Sequence, residues 1–244
     1  MSKEILEKLK NDQDYYGAFG KQYMSNSDIS TLLTNPKQYG VGLPDNANFA
    51  KGRYFHQLVL EPEKAVGYTF VESSSRNTKL YKEYCAEAEV DFALLSKEGE
   101  ELRRLVGVMM GNLDMYDLIR NPENIYELPA IAEIEGKMWK GKADIVHPDM
   151  VIDIKTTSKI EDFKWSARKY NYDSQCYIYQ KLFGKPLIFL VIDKTSDMMG
   201  IFRPTEEFIK GGQNKVQRAI EVHNKFFSAD APNDIETFYY DEFL

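Results

Sequence analysis

Two aspartates and a lysine carry the most recognisable chemistry in this chain of 244 residues. Asp153-Ile154-Lys155 lies in Met150 to Thr156, a β-branched run that reads as a strand. Side chains alternate across a strand, so Val151, Asp153 and Lys155 share one face and Ile152 and Ile154 the other. Asp144 sits on a preceding strand, Met138 to His147, which turns at His147-Pro148-Asp149 and brings Asp144 within reach of Asp153. Carboxylates on adjacent strands repel, and a hard divalent cation satisfies them. Such an array suits phosphodiester hydrolysis. A metal ion or pair would bind non-bridging phosphate oxygens, acidify a water and stabilise the leaving 3′-oxygen. The Lys155 ammonium would orient the attacking water or offset developing charge. The Ile154 carbonyl, between the two functional side chains, is a natural further ligand. The competing reading is an Asp153–Lys155 salt bridge on an exposed sheet face, with no chemistry at all.

The remaining pattern says what must position these groups. A short helix is predicted over Ser27 to Leu33, capped by Ser25 or Ser27 and stopped near Asn35-Pro36. Tyr54, Phe55, Leu58 and Val59 give a helix over Ala50 to Leu60, ended by Pro62. Tyr81 to Ala88 and Lys97 to Leu118 also read as helices, the latter with a Leu- and Met-rich stripe of core residues. From Tyr126 strands take over: Ala130 to Glu135, Met138 to His147 and Met150 to Thr156. A helix over Phe163 to Phe183, strands Leu187 to Asp193 and Met199 to Arg203, and a helix Gln213 to Phe227 introduced by Gly211-Gly212 complete the pattern. Thr237 to Leu244 is an acidic, aromatic tail. Without repeats or linkers this is one domain, 1–244: a mainly helical part over 1–125, a catalytic sheet with flanking helices over 126–227, and a tail over 228–244. The fold class is α/β (α+β), a mixed sheet flanked by helices.

Composition narrows the function classes. Apolar residues are 43% and charged residues 28%, which excludes fibrous and disordered classes. Cys85 and Cys176 are too few for a four-cysteine zinc or iron–sulfur site. No run approaches a membrane span, and the charged N-terminus is not a signal sequence, so a soluble, cytoplasmic protein is expected, with no membrane partner. A net charge of −7 argues against a passive nucleic-acid coat, but not against a nuclease, whose metal-binding carboxylates add to the negative total.

The Asp144 … Asp153-Ile154-Lys155 spacing resembles the PD-(D/E)xK nuclease superfamily. More narrowly, the chain resembles RecB-type nuclease domains, closest to the exonuclease VIII (RecE-like) and phage exonuclease branch. Ser25 to Tyr39 resembles the family's opening helix with its Pro-containing end. Lys51 to Pro62, with Gly52 and His56, resembles its Gly-x-x-x-His helix. Arg76 to Ala88 resembles the next block, Leu128 to Glu133 the strand bearing an early Glu, and Gln175-Cys176-Tyr177-Ile178-Tyr179 the Gln-x-x-x-Tyr helix. The motifs occur in the family's order from Ser25 to Tyr179.

The resemblance implies a restriction-endonuclease-like core and a role for each matching position. His56 would join Asp144, Asp153 and the Ile154 carbonyl as a metal ligand. Glu133 would assist metal or water binding, with Glu135 on the same strand as its competitor. Gln175 and Tyr179, one helical turn apart, would hold DNA phosphate or brace Lys155. Lys142 stands where the exonuclease branch often has Arg, so the charge is kept without the bidentate fork. Arg53, Lys142, Thr157, Arg168 and Lys169 are the expected DNA contacts, alongside Lys164 and Tyr170. The implied activity is a Mg2+-dependent (or Mn2+-dependent) deoxyribonuclease with one or two ions, a processive exonuclease on double-stranded DNA ends in recombination and phage-encoded, hence in the host cytoplasm. Its implied partners are a homo-oligomeric ring of its own copies and a single-strand annealing protein. A structure- or sequence-specific endonuclease, or a catalytically dead DNA-binding or assembly module, are the alternatives. Gly136 to Lys142 formally fits a P-loop, but Ala143 replaces the Mg-binding hydroxyl and a strand follows instead of a helix. His147 and His223 are assigned no role.

Overall fold

In the computed structural model, which describes residues 3–42 and 45–241, a five-stranded sheet in the order β1-β2-β3-β4-β5 stands between two groups of helices. Its strands are β1 (Ile125–Ile134), β2 (Lys137–Val146), β3 (Val151–Thr157), β4 (Leu187–Asp193) and β5 (Met199–Phe202). The β3–β4 pair is parallel and every other pair antiparallel. Both faces of the central strands are buried, and alternation divides them. Ile152, Ile154, Ile188, Leu190 and Ile192 face one core, Val151, Leu187, Phe189 and Val191 the other.

The chain opens with α1 (Lys3–Leu9), α2 (Asp12–Tyr16) and α3 (Asn26–Thr34). Ser25 is the N-cap of α3, with its N–H and hydroxyl both donating to Asp28. Next come α4 (Ala47–Leu60), α5 (Pro62–Ala65), α6 (Lys79–Glu87), α7 (Ser96–Gly111) and α8 (Leu113–Ile119). Helices α4, α7 and α8 cover the first core face through Tyr54, Phe55, Val59, Leu105, Met109 and Ile119. The crossover from β3 to β4 carries α9 (Phe163–Lys169) and α10 (Tyr172–Phe183), and the last helix is α11 (Glu206–Phe226). With α3 these cover the opposite face.

Four expected boundaries differ. The Lys97 to Leu118 helix is two, because the Asn112 side chain accepts from the Met115 N–H and so caps a new helix. Phe163 to Phe183 is also two, broken where Asn171 adopts a left-handed conformation, φ 59°. Gly211-Gly212 lies inside α11, which starts at its Thr205 cap. Gly212 serves packing: a Cβ there would sit 2.0 Å from the Asp173 carbonyl oxygen, so the glycine lets α11 press on α10. Finally, β1 begins at Ile125, five residues before the expected Ala130.

The P-loop look-alike is the β1–β2 hairpin, with Gly136 turning at φ 76°. His147 is buried in the β2–β3 turn, accepting from the Asp149 N–H at 3.1 Å. The tail returns over α3 and α11 through Lys37–Glu236 and the Phe226–Phe238 ring contact; its last three residues lie outside the described ones. Both cysteines are free thiols, and among the described residues no helix is long and apolar enough to cross a membrane.

Candidate metal and active site

The β2–β3 ladder pairs Val146 with Val151 and Ile145 with Ile152, and there it stops. The next pair in that register would set Asp144 opposite Asp153. Like charges directly opposite destabilise a ladder, and the strands part at this point. The Asp144 carboxylate enters the fork, its Oδ2 accepting from the Ile154 N–H at 2.8 Å. From α4, His56 reaches the same place. Its Nε2 lies 2.9 Å from the Ile154 carbonyl oxygen and its Nδ1 3.5 Å from Asp144 Oδ1. Two side chains remote in sequence thus meet around the backbone of Ile154.

A third side chain enters from β1, one that the sequence pattern did not single out. Glu127 contributes a ligand atom that lies, with those of His56 and Asp144, within 4.8 Å of one another. It stands where the hairpin register sets it opposite Asp144, between the paired Tyr126–Ile145 and Leu128–Ala143, and its backbone is left-handed at φ 50°. A non-glycine residue in that region is strained, and such strain concentrates at functional sites. The signal was present in the sequence: counting back along β1 from the Glu135-Gly136 turn reaches Glu127 opposite Asp144. A strand beginning only at Ala130 leaves Glu127 outside that register.

The expected Glu133 and its competitor Glu135 are corrected by the same register. Glu133 is exposed opposite Met138, six residues along β1 from Glu127, or about 20 Å at strand rise. Glu135, in the hairpin turn, accepts from the Tyr177 hydroxyl at 2.8 Å and from Gln213 and Gln217.

Across the sheet, Asp153 and Lys155 point at α10. They form an ion pair, but not the exposed one of the competing reading: their side chains are 5% and 21% exposed, under α10. Gln175 donates to Asp153 Oδ1 at 2.5 Å, and the Lys155 ammonium lies 5.1 Å from the Tyr172 ring centre. Gln175 therefore braces Asp153 rather than Lys155. Tyr179 is corrected as well: its hydroxyl donates to the Lys142 carbonyl at 2.8 Å, supporting the β2 backbone rather than Lys155.

Burial and charge act in opposition here. Burial disfavours a charged His56 ring, yet the adjacent Asp144 outweighs it and lifts the ring to about 9. Burial would raise Asp144, but His56, then Lys155, holds it below the usual carboxylate range. Burial, reinforced by Asp144, pushes Glu127 up to about 7. Burial opposes the Lys155 ammonium, and Asp153 more than compensates, so Lys155 stays charged. Buried Asp153 Oδ2 is satisfied by the Lys155 ammonium alone.

These donors fit a divalent cation. Two carboxylates, a backbone carbonyl and an imidazole converge, a hard oxygen set with one nitrogen that suits Mg2+ or Mn2+. One carboxylate, Glu127, has its pKa raised by burial and by the neighbouring Asp144, a cost that a bound cation would relieve. A cation would be held by Asp144, Glu127, His56 and the Ile154 carbonyl, with Asp153 adjacent.

The expected DNA contacts divide. Arg53 is clamped by Asp45 through two hydrogen bonds, 3.1 and 2.5 Å. Lys142 donates to Asp12 at 2.6 Å and lies 4.6 Å from the Tyr15 ring centre, its side chain 8% exposed. Neither is presented freely to a phosphate. Thr157 is half-buried at the end of β3, bonded within its own turn to Lys159. Arg168 and Lys169 are exposed on α9, with Arg168 only 3.9 Å from Glu207.

The architecture and this fork define a PD-(D/E)xK-type α/β fold. The chain belongs to the PDDEXK-like domain family of unknown function DUF3799, whose model matches residues 34–235. Among solved structures it is similar to a candidate exonuclease from Eubacterium rectale, with a TM-score of 0.63 and 18% identity over 88% of this chain and 86% of that one. It also matches a phage-related exonuclease from Haemophilus somnus 129PT, 16% identical over 70% of this chain and 92% of that one, at a TM-score of 0.33 that carries no structural argument. Comparison with curated proteins finds no match. The fold is nuclease-like, and the family's divalent-metal chemistry has a possible ligand set in His56, Glu127 and Asp144.

Proposed function

We propose that this protein is a metal-dependent deoxyribonuclease. The observation that carries the reading is the convergence of His56, Glu127 and Asp144, with His56 and Asp144 on the Ile154 backbone, beside the buried Asp153–Lys155 pair. When bound, a divalent cation supplies Lewis acidity toward a phosphodiester oxygen and an acidified water. The protein's own groups do the rest. Asp144, Glu127, His56 and the Ile154 carbonyl would hold the cation. Gln175 holds Asp153, and Asp153 holds Lys155 charged and aimed. The Lys155 ammonium orients the attacking water and offsets the negative charge that builds on the phosphoryl oxygens. Mg2+ suits the oxygen donors, and the imidazole favours Mn2+ as a competent substitute.

On duplex DNA the reading is a processive exonuclease that starts at ends, acts in recombination and is phage-encoded, working in the host cytoplasm. It is supported by the sequence resemblance to the RecE-like branch and by the likeness in fold to the candidate exonuclease from Eubacterium rectale. A ring of copies threaded by DNA and a single-strand annealing partner belong to the same proposal. The test is digestion with Mg2+ of linear duplexes blocked at the 5′ or the 3′ end, beside a covalently closed circle. Nucleotide release from one unblocked end with an intact circle is expected. Cutting of the circle would establish an endonuclease instead. Asp153→Asn should abolish release; equal release by wild type and variant would place the activity elsewhere.

A further inference from the structure

Beside the reactive pair lies a cleft of about 280 Å³ between α9, β5 and the start of α11. Its walls are aromatic: Phe163, Trp165, Phe189, Phe202 and Phe208. Its rim is cationic, with Lys164, Arg168 and Arg203. Among the described residues Lys164 and Arg203 form no ion pair, and Arg168 makes one long, exposed ion pair, 3.9 Å from Glu207. Trp165 is 65% exposed, with only the Lys164 ammonium over its ring, 5.1 Å from the centre.

The cleft's position in the sheet ties it to the fork. Phe189 pairs with Asp153 in the β3–β4 register, and Phe202 pairs with Phe189 across β4–β5. Asp153, Phe189 and Phe202 therefore form one cross-strand row, stepping about 5 Å per strand. Phe189 belongs to the core on the α10 side, toward which Asp153 also points. A single ring, Tyr172, lies between: its centre is 5.3 Å from Phe189 and 5.1 Å from the Lys155 ammonium.

Flat aromatic walls under a cationic rim complement a ligand that is both planar and anionic. We propose that this cleft is a stacking subsite for one unpaired base of the DNA strand whose phosphate lies at Asp153–Lys155. The base would enter against Trp165, while Lys164, Arg168 and Arg203 take the flanking phosphates. Every base offers a π-face, so the subsite is indifferent to sequence and selective for unpaired nucleotides. It rests on the nuclease reading of the fork, and the test separates the two.

The chain has two tryptophans, and Trp139 is fully buried in the core, so a ligand can quench only Trp165 by stacking. The full-length protein in EDTA, where no cleavage occurs, is titrated with a short single-stranded oligothymidylate and with an abasic oligodeoxynucleotide of equal length. The expected result is quenching by oligothymidylate alone, and about tenfold tighter binding of it than of the abasic strand. Trp165→Phe should abolish the quenching yet keep the affinity, and Trp165→Ala with Arg203→Ala should lose about tenfold. Equal affinity for both strands, or oligothymidylate binding that leaves the emission unchanged, overturns the subsite, even if Mg2+-dependent cleavage is observed. Quenching by a protein that cleaves nothing with Mg2+ or Mn2+ overturns the nuclease reading and sustains the cleft as a base-binding site.

Discussion

At the scale of the residue, the fork behaves as a cation site occupied by protons. With a pKa near 9, His56 is an imidazolium at neutral pH, its Nδ1–H facing the Asp144 carboxylate and its Nε2–H donating to the Ile154 carbonyl. Two consequences follow from the signs. Because the folded value exceeds the ordinary 6.5, the metal-free fold gains stability from His56 that is fully present below pH 6.5 and is lost as pH rises through about 9. A cation must displace that proton and the one Glu127 holds up to about pH 7. Affinity for Mn2+ should therefore rise between pH 6 and 9, with proton release detected by calorimetry in buffers of different ionisation enthalpy; flat affinity with no release would remove the assignment. Glu127→Gln should lower kcat/KM at limiting metal about 100-fold, while Glu133→Gln and Glu135→Gln stay near wild type. A nuclease assay over a metal titration separates the three.

At the scale of the element, α10 is the brace of the site. Gln175 grips Asp153, Tyr179 grips the β2 backbone, and Ser174 donates to Asn26 of α3 at 2.6 Å, which anchors the opening helix. Removing Gln175 leaves a buried carboxylate short of a donor, costing about 1–3 kcal/mol. Gln175→Ala should lower kcat about tenfold with little change in KM, since Asp153 and Lys155 lose their aim rather than their charge. A change confined to KM would instead make Gln175 a DNA contact. The α10–α11 seam is equally demanding. Gly212→Ala forces a Cβ onto the Asp173 carbonyl and should destabilise by about 3 kcal/mol. Gly52→Ala, on α4 with open space around it, should stabilise by about 0.5–1 kcal/mol. Urea denaturation of the two variants reads both signs.

At the scale of the whole molecule, the sheet separates two cores and places the fork where β2 and β3 part between them. The net charge of −7 is uneven: the site's own carboxylates count toward it, while cations gather on α9 and around the adjacent cleft. The proposed ring has a direct check by light scattering coupled to size-exclusion chromatography. A particle several times 28.3 kDa is expected; a 28.3 kDa particle that still digests long duplexes processively would remove the ring.

Local pattern was enough to make much of this legible. Strand alternation places Asp153 and Lys155 together, and a hairpin turn at residues 147–149 brings Asp144 to them. Helical spacing marks Tyr54, Phe55 and Val59 as core, and the family resemblance points to His56. Such signals survive in a sequence because period and turn chemistry are local properties. What only the tertiary structure decided was which distant groups share one volume. Its place opposite Asp144, with its carboxylate gathered beside the His56 ring and the Asp144 carboxylate, selects Glu127 over Glu133 and Glu135. The packing of α10 directs Gln175 to Asp153 and Tyr179 to Lys142, and neighbouring carboxylates engage Arg53 and Lys142. Each is a choice among competing partners brought close by folding, made by desolvation and charge at a few ångströms, which no periodicity along the chain encodes.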